Sequence, residues 1–342
     1  MTAKLFEKVV VLATGGTIAG TASSALDNLA YSAAQLGVSQ MLAAVPHLSE
    51  MLAGRLLVAE QVAQIDSKDM SFDVWRELAL RVNYHLAQGD VKGIVITHGT
   101  DTLEETAYFL HAVLPAQLLA NKPVVLTCAM RPASSTAPDG PQNLMDAAAV
   151  ACTAGASGVV AVCAGTVHTA LDVQKMHTYR LDAFSSGDAG PLGYVEEGHV
   201  RLVRNWPLAA ADSVPASLEK IAGLKDWPRV EIVMNYAGAS GAVVDALVSP
   251  AAMASPGEKP HTQVAPLQGL VVAATGNGTL HHALEAALLR AQAAGVEVVR
   301  ATGCANGRVL PTLGATFPDS AGLSPVKARV ALMLALMQQP GA

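Results

Sequence analysis

The sequence predicts an α/β fold with two domains. The larger N-terminal domain has a mostly parallel sheet flanked by helices, and the smaller C-terminal α/β domain has its own parallel sheet. The chain has 342 residues, a length that fits two domains of ordinary size. Hydrophobic residues make up 51% of the chain and charged residues only 15%, a balance typical of parallel strands buried on both faces. Short runs rich in Val and Ile alternate with longer helical segments, which is the pattern of βαβ units.

The N-terminal domain is placed at residues 1–205, where four apolar runs predict strands and the segments between them predict helices. The predicted strands are residues 9–13, 93–97, 123–128 and 159–164. The predicted helices are residues 39–52, 72–88, 103–114 and 143–155. Thr102 and Glu105 open the third helix with the spacing of a capping box, whose side chains satisfy free backbone amides of the first turn.

The alternation of strands and helices stops after residue 205 and then resumes. Residues 206–229 contain three prolines and no strand-like run, so we place a linker between the domains there. The C-terminal domain is placed at residues 230–342, and residues 250–266 are predicted to form an irregular loop. Its predicted strands are residues 230–235, 269–274 and 296–301. A final helix is predicted from Pro325 to residue 337, with Ser324 as its N-cap.

The net charge, the lengths of the apolar runs and the cysteines argue against some classes of partner and indicate a cellular compartment. The formal net charge is −6, which argues against a general nucleic-acid partner. No apolar run approaches the roughly 20 residues that a bilayer requires, which argues against a membrane partner. The N-terminal segment lacks the pattern of a signal peptide. The four scattered cysteines are typical of small buried side chains in a reducing compartment, so we predict a cytoplasmic protein.

Polar clusters that follow predicted strands are the candidate sites, because ligands bind open α/β sheets outside the carboxyl ends of the strands. The first cluster contains Gly15, Gly16 and Thr17. The glycines permit a tight turn that leaves the Thr17 hydroxyl at the loop tip. This loop has neither the Lys of a phosphate-binding P-loop nor the glycine spacing of a dinucleotide fingerprint. Alone, it is more typical of a turn than of a catalytic loop.

Two further clusters occupy similar places in the predicted order of elements. Thr100 and Asp101 stand between a buried strand and a helix, where outward-facing backbone amides would stabilise an anion or a polarised carbonyl group. His98 in the same segment is more typical of a packed histidine than of a ligand contact. Ser67 and Lys68 lie in a polar run before a predicted helix, and such a run is usually only an N-cap.

A threonine attacks a carbonyl group only with the help of a base and of donors for the resulting oxyanion. Lys175, in a polar segment after a predicted strand, is a candidate base, although a lone lysine is more typical of a solvated surface. The sequence has no Gly-x-Ser-x-Gly motif, which argues against the common serine hydrolases. His281, His282 and Glu285 lack the second pair of ligands that a metal site requires, so we predict no metal and no cofactor.

The clusters occur together with other motifs in a fixed order along the chain. The two most specific motifs are TGGTIAG at residues 14–20 and THGTDTLEETAYF at residues 97–109. The supporting motifs are MRPASSTAPDGPQNL at 130–144, GPLGY at 190–194, NYAGAS at 235–240, GNGTL at 276–280 and KARV at 327–330. This ordered set, which spans most of the chain, resembles the bacterial-type L-asparaginase/glutaminase family of threonine-nucleophile amidohydrolases.

The resemblance implies a set of catalytic residues. Thr17 would be the nucleophile that forms the acyl-enzyme. Tyr31, in the segment after the glycine-rich loop, would close over the substrate and hydrogen-bond this nucleophile. Thr100, Asp101 and Lys175 would form the second catalytic group, with Thr100 near the attacked carbonyl group and Lys175 as the proton acceptor.

The resemblance also implies a substrate pocket, from which this chain departs in three places. Ser67 would hold the α-carboxylate of the substrate, and Asp101 would pair with its α-ammonium. Lys68 places a cation where many relatives carry Gln, Glu or Ser. Gly238 stands where family members often have an Asn, and residues 305–316 lack the acid that they often have there. The full set of implied substrate-binding residues is Gly16, Ser67, Lys68, Gly99, Thr100 and Asp101.

The reaction that the resemblance implies is hydrolysis of L-asparagine to L-aspartate and ammonia, without a cofactor, in a homotetramer or dimer of dimers. A glutaminase-asparaginase or another small-amide amidohydrolase is an alternative, because one methylene group changes binding by only about 1–3 kcal/mol. A non-catalytic amino-acid-binding protein on the same fold is a second alternative. A phosphate- or nucleotide-binding module is a third, and it rests on the glycine-rich loop alone.

Overall fold

A computed structural model describes residues 6–207, 218–249 and 265–338 of the chain. The chain divides into two compact units, Met1–Ala222 and Gly223–Ala342. Residues 208–217 of the predicted linker and residues 250–264 of the predicted loop lie outside the described residues.

An eight-stranded sheet forms the centre of the first unit. The strands described in this unit are β1 (Lys8–Gly15), β2 (Thr21–Ala22), β3 (Tyr31–Ser32), β4 (Leu56–Ile65), β5 (Val91–Thr97), β6 (Val124–Thr127), β7 (Val159–Cys163), β8 (Thr166–Thr169), β9 (Gln174–Lys175), β10 (Phe184–Ser185), β11 (Gly193–Glu196) and β12 (His199–Leu202). The order in the sheet is β12-β11-β8-β7-β6-β5-β1-β4. The pairs from β7 to β4 are parallel, and β8, β11 and β12 extend the sheet with antiparallel pairs.

Helices cover the parallel part of this sheet. The helices described up to residue 223 are α1 (Val38–Ala43), α2 (Leu48–Met51), α3 (Phe72–Leu86), α4 (Leu103–Val113), α5 (Ala116–Leu119), α6 (Gly140–Cys152) and α7 (Leu218–Gly223). α6 packs on β5, β6 and β7, and α3 packs on β4 and β5. The central strands are apolar on both faces because helices cover them, as residues 124–126 of β6, which are fully buried, show. The predicted α/β class with a mostly parallel sheet is confirmed.

The single helix predicted at residues 39–52 is wrong, because this segment forms two short helices, α1 and α2. Pro46 lies between them. Proline has no backbone N–H and disfavours the helical conformation in the residue before it, here Val45. The chain therefore turns at this point and starts a new helix after His47.

Four strands of the sheet escape the sequence prediction. β4 lies at the edge of the sheet, and most of its residues are partly exposed. Its Glu60, Gln61 and Gln64 interrupt the apolar run by which the buried strands are predicted. β8, β11 and β12 have four residues each and mix polar with apolar side chains, so they lack the continuous apolar run that marks the equally short β6.

The second unit contains a smaller parallel sheet. Its strands are β13 (Arg229–Met234), β14 (Leu267–Ala274) and β15 (Glu297–Thr302), and β14 lies in the centre. Its described helices are α8 (Ala242–Val248), α9 (His282–Ala293) and α10 (Pro325–Leu336). Pro325 begins α10 as predicted, and Ser324 occupies the N-cap position without a capping bond from its side chain. Across the three described ranges, we find no helix with the length and hydrophobicity needed to cross a membrane.

Candidate active site

The three polar clusters follow three neighbouring parallel strands. β1 lies between β4 and β5 in the sheet. The loop after β1 carries Thr17, the loop after β4 carries Ser67, and the loop after β5 carries Thr100. Because parallel strands end at the same edge, the strand order brings these residues together from distant parts of the sequence.

Two glycines allow these loops to approach each other. Gly16 has a φ of 81°, a conformation that favours glycine. A Cβ atom on Gly16 would lie 2.4 Å from the Cα atom of Gly99. A Cβ atom on Gly99 would in turn lie 2.4 Å from Oγ of Ser67. The loops therefore meet through their backbones, and neither glycine position has room for a side chain.

Thr17 and Tyr31, the residues implied to form the nucleophile and its partner, are in contact. Thr17 is buried at the start of a 3-10 turn, and its Oγ1 lies 2.6 Å from the hydroxyl oxygen of Tyr31. Tyr31 belongs to β3, which pairs with β2. The chain then returns to the first loop, where the N–H of Ala34 donates to the carbonyl oxygen of Gly16 at 3.0 Å.

Ser67 links the loop after β4 to the loop after β5. Its Oγ accepts a hydrogen bond from the N–H of Asp101 at 3.1 Å. Its carbonyl oxygen accepts from the hydroxyl of Thr102 at 2.8 Å. The capping box predicted for Thr102 and Glu105 is wrong, because the Thr102 hydroxyl donates to the neighbouring loop and makes no capping bond to α4.

Lys175 reaches the same site from β9, which pairs with β10. Its Nζ donates to Oγ1 of Thr100 at 2.7 Å and to Oδ1 of Asp101 at 2.6 Å. Only 20% of its side chain is exposed, so Lys175 is held by its partners and is not a solvated surface lysine. Its backbone N–H donates to Oε1 of Glu104 at 3.4 Å. Sequence reasoning missed Glu104, for which the only signal is an acid in the first turn after Asp101.

Lys68 is directed to its own neighbours in the sequence. Its Nζ lies 2.6 Å from Oδ2 of Asp66 and 3.4 Å from Oδ2 of Asp69, and 61% of its side chain is exposed. The hydrogen bond that Lys68 donates to the Asp66 carboxylate raises the pKa of the Lys68 ammonium group, which therefore stays charged. Within the described part of the chain, its side chain contacts none of the other candidate side chains.

His98 is a packed histidine, as predicted, and it is fully buried. Its Nδ1 lies 2.7 Å from the carbonyl oxygen of Gly99, and its Nε2 lies 2.9 Å from Oγ1 of Thr106. Burial lowers the pKa of His98 to about 4, although the bond to Gly99 acts in the opposite direction. His98 is therefore neutral at physiological pH.

The site combines hydroxyl, amine and carboxylate groups. The N–H of Thr100 donates to no acceptor among the residues that the structure describes, so it is free to bind a ligand. In the same residues, no group of three His, Cys, Asp or Glu side chains is arranged to hold a metal ion. Acyl transfer requires a hydroxyl that can act as nucleophile, a base and a donor for the oxyanion, and the Thr17 hydroxyl, Lys175 and the free N–H of Thr100 are groups of these three types.

Comparison with known proteins identifies the family of this site and fold. A model named "Asparaginase, N-terminal" matches residues 8–208, and a model named "Glutaminase/Asparaginase C-terminal domain" matches residues 229–341. The chain belongs to the asparaginase family of amidohydrolases.

Individual relatives cover almost the whole chain. L-asparaginase 2 of Escherichia coli (strain K12) is 37% identical over 337 residues, which are 96% of this chain and 89% of that protein. A glutaminase-asparaginase of Pseudomonas fluorescens biotype A is 37% identical over 338 residues, 96% of this chain and 86% of that protein. The crystal structure of a probable cytoplasmic L-asparaginase from Campylobacter jejuni has a TM-score of 0.85 and 33% identity, and the match covers 97% of this chain and 96% of that one.

The buried His98 predicts a loss of stability at acid pH. Its pKa is about 4 in the folded protein and 6.5 ordinarily, so protons bind the unfolded chain first as the pH falls. The stability from neutral His98 is complete above pH 6.5 and is lost by about pH 4, a change of about 3 kcal/mol. Urea unfolding at about pH 7 and about pH 4.5 should show a smaller loss of unfolding free energy in His98→Gln than in the wild type. Equal losses would contradict this assignment.

Proposed function

We propose that this protein is an L-asparaginase that hydrolyses L-asparagine to L-aspartate and ammonia through an acyl-enzyme on Thr17. One observation carries the proposal. Two hydroxyls lie in the loops after the adjacent strands β1 and β5: that of Thr17, which is hydrogen-bonded to Tyr31, and that of Thr100, which is hydrogen-bonded to Lys175. Family membership and relatives named L-asparaginase support the choice of substrate.

The first step is attack of Oγ1 of Thr17 on the side-chain amide carbon of asparagine. Tyr31 accepts the hydroxyl proton in a hydrogen bond and orients the nucleophile. The carbonyl oxygen becomes an oxyanion, to which the free N–H of Thr100 donates. As the C–N bond breaks, Tyr31 takes the Thr17 proton and gives its own hydroxyl proton to the leaving nitrogen, which departs as ammonia.

The second step is attack of water on the acyl ester. The Thr100 hydroxyl, 2.7 Å from Nζ of Lys175, takes a proton from the water and passes its own proton to Nζ. The ester C–O bond breaks, Lys175 returns the proton to Thr17, and aspartate leaves. Asp101, 2.6 Å from Nζ, stabilises the ammonium form of Lys175 between these transfers.

The substrate's charged groups have matching partners in the same site. Oγ of Ser67 already accepts from Asp101, so its hydroxyl proton is free to donate to the α-carboxylate. The Asp101 carboxylate is half exposed, and its Oδ2 is available to the α-ammonium. Gly16 and Gly99 lie next to Thr17 and Thr100 in the sequence, and we assign their backbones to the wall of the substrate pocket. We assign no substrate contact to the side chain of Lys68, because Asp66 holds it.

The proposal also states which domain carries the catalytic residues. Residues 1–205 would be the catalytic domain, since every residue with an assigned role lies there. Residues 206–229 would be the linker, and residues 230–342 the C-terminal domain. The glutaminase-asparaginase of Pseudomonas fluorescens supports glutamine as a second substrate.

Replacement of the nucleophile is the central test. Thr17→Ala should lower kcat for ammonia release from asparagine about a thousandfold or more, because no acyl-enzyme can form. Thr21→Ala, which removes a hydroxyl from the same segment, is the matched control and should keep the wild-type rate. Values of kcat/KM for asparagine, glutamine and both D-isomers rank the substrates. Full activity of Thr17→Ala, or tight aspartate binding without turnover by the wild type, would refute the proposal.

Replacement of the lysine tests the second step. Lys175→Met should lower kcat about a hundredfold or more, because water loses its proton acceptor. If deacylation is the step that suffers, mixing with asparagine should give a burst of ammonia and an acyl group on Thr17 that is visible by mass spectrometry. Lys92→Met, which removes a lysine paired with Glu7, serves as the control. An unchanged steady rate in Lys175→Met would exclude this role.

We further propose a homotetramer, or dimer of dimers, in the cytoplasm. The four free cysteines and the likeness to the Campylobacter jejuni protein support this compartment, whereas a relative from Haemophilus influenzae carries the name "Probable L-asparaginase periplasmic". Sedimentation at the protein concentration of the activity assay should give about four times the 35.1 kDa mass of the chain. A single-chain mass in a fully active sample would contradict the tetramer.

A further inference from the structure

A buried chain of hydrogen bonds runs from α3 to the loop after β5. The indole Nε1 of Trp75 donates to Oγ1 of Thr106 at 2.9 Å. Oγ1 of Thr106 lies 2.9 Å from Nε2 of His98, and Nδ1 of His98 lies 2.7 Å from the carbonyl oxygen of Gly99. Trp75, Thr106 and His98 are almost completely buried, and none of them takes part in the proposed reaction.

The two groups at the ends of this hydrogen-bond chain determine where each proton between them lies. The indole N–H of Trp75 can only donate, and the carbonyl oxygen of Gly99 can only accept. Neutral His98 must therefore carry its proton on Nδ1 and accept on Nε2. The Thr106 hydroxyl consequently accepts from Trp75 and donates to His98. With His98 neutral, no other arrangement satisfies all three bonds.

The last bond determines which way the Gly99–Thr100 peptide faces. In a trans peptide, the C=O of one residue and the N–H of the next point in opposite directions. Because His98 holds the Gly99 oxygen towards the buried ring, the Thr100 N–H points away from it. Rotation of this peptide about its two Cα atoms would turn the free donor in a different direction.

We propose that His98 is a positioning residue, whose tautomer is set by Thr106 and Trp75 and which aims the Thr100 N–H at the oxyanion. This inference rests on the proposed function. His98 does not touch the substrate and acts only through the Gly99–Thr100 peptide. The oxyanion exists only after attack, so disturbance of the chain lowers kcat and leaves KM nearly unchanged.

Thr106→Val is the informative variant, because valine has nearly the shape of threonine but cannot donate to His98. We expect kcat for asparagine about tenfold lower or more, with KM within about twofold, since loss of a whole oxyanion donor costs about a hundredfold or more. Thr106→Ser restores the hydroxyl and should recover kcat to within about threefold of the wild type. Thr127→Val is the matched control, because it also removes a fully buried hydroxyl. The Thr127 hydroxyl bonds backbone carbonyl groups that do not belong to the hydrogen-bond chain of Trp75, Thr106 and His98.

A spectroscopic measurement tests the tautomer without any change at Thr106. The wild-type protein with ¹⁵N-labelled histidine should show His98 as the Nδ1–H tautomer, with its signals assigned by their absence in His98→Gln. An Nε2–H tautomer would overturn the proposal, whether or not Thr106→Val folds.

The kinetic outcomes also separate this inference from the proposed function. Wild-type kcat in Thr106→Val, or equal falls in Thr106→Val and Thr127→Val, would overturn the positioning role. If Thr17→Ala is inactive while Thr106→Val is normal, only the positioning role fails. If Thr17→Ala is fully active, the proposed function itself fails.

Discussion

The close approach of two backbone segments at Gly16 and Gly99 is the constraint on which the candidate site depends. β1 and β5, the strands that precede these loops, are paired in register up to Ala13 and Thr97. The sheet therefore fixes the position at which each loop begins. A side chain at either glycine would separate them. The relative position of the Thr17 and Thr100 hydroxyls is thus a property of the sheet and not of the loops alone.

The central part of this arrangement could be predicted from the sequence because burial leaves a strong signal. Strands covered on both faces must be apolar throughout, so β1 and β5 stand out as Val- and Ile-rich runs. Any polar residue just after them is conspicuous, which is why Thr17, Thr100 and Asp101 could be placed at one sheet edge. Ser67 gave a weaker signal, since the edge strand before it is only partly buried and mixes polar with apolar side chains.

The rest of the site could not be predicted, because it depends on contacts between distant residues. The bond from Lys175 to Asp101 joins residues 74 positions apart, through a strand of only two residues. Thr102 has the spacing of a capping residue, and only the neighbouring loop explains why its hydroxyl donates to Ser67 instead. Local spacing describes what a side chain could do within its own helix. Tertiary packing decides which partner it takes.

Thr17 and its partner Tyr31 differ in the number of backbone hydrogen bonds that hold the strand next to each of them. Thr17 follows β1, a strand of eight residues paired on both sides. Tyr31 lies in a strand of two residues, whose ladder has only two residue pairs. Local opening of that short ladder breaks few hydrogen bonds and leaves the sheet intact, so its amides should exchange with solvent far sooner than those of β1. Under the proposed mechanism, substrate would enter and product leave on the time scale of this local opening, while Thr17 would stay in place at the end of β1.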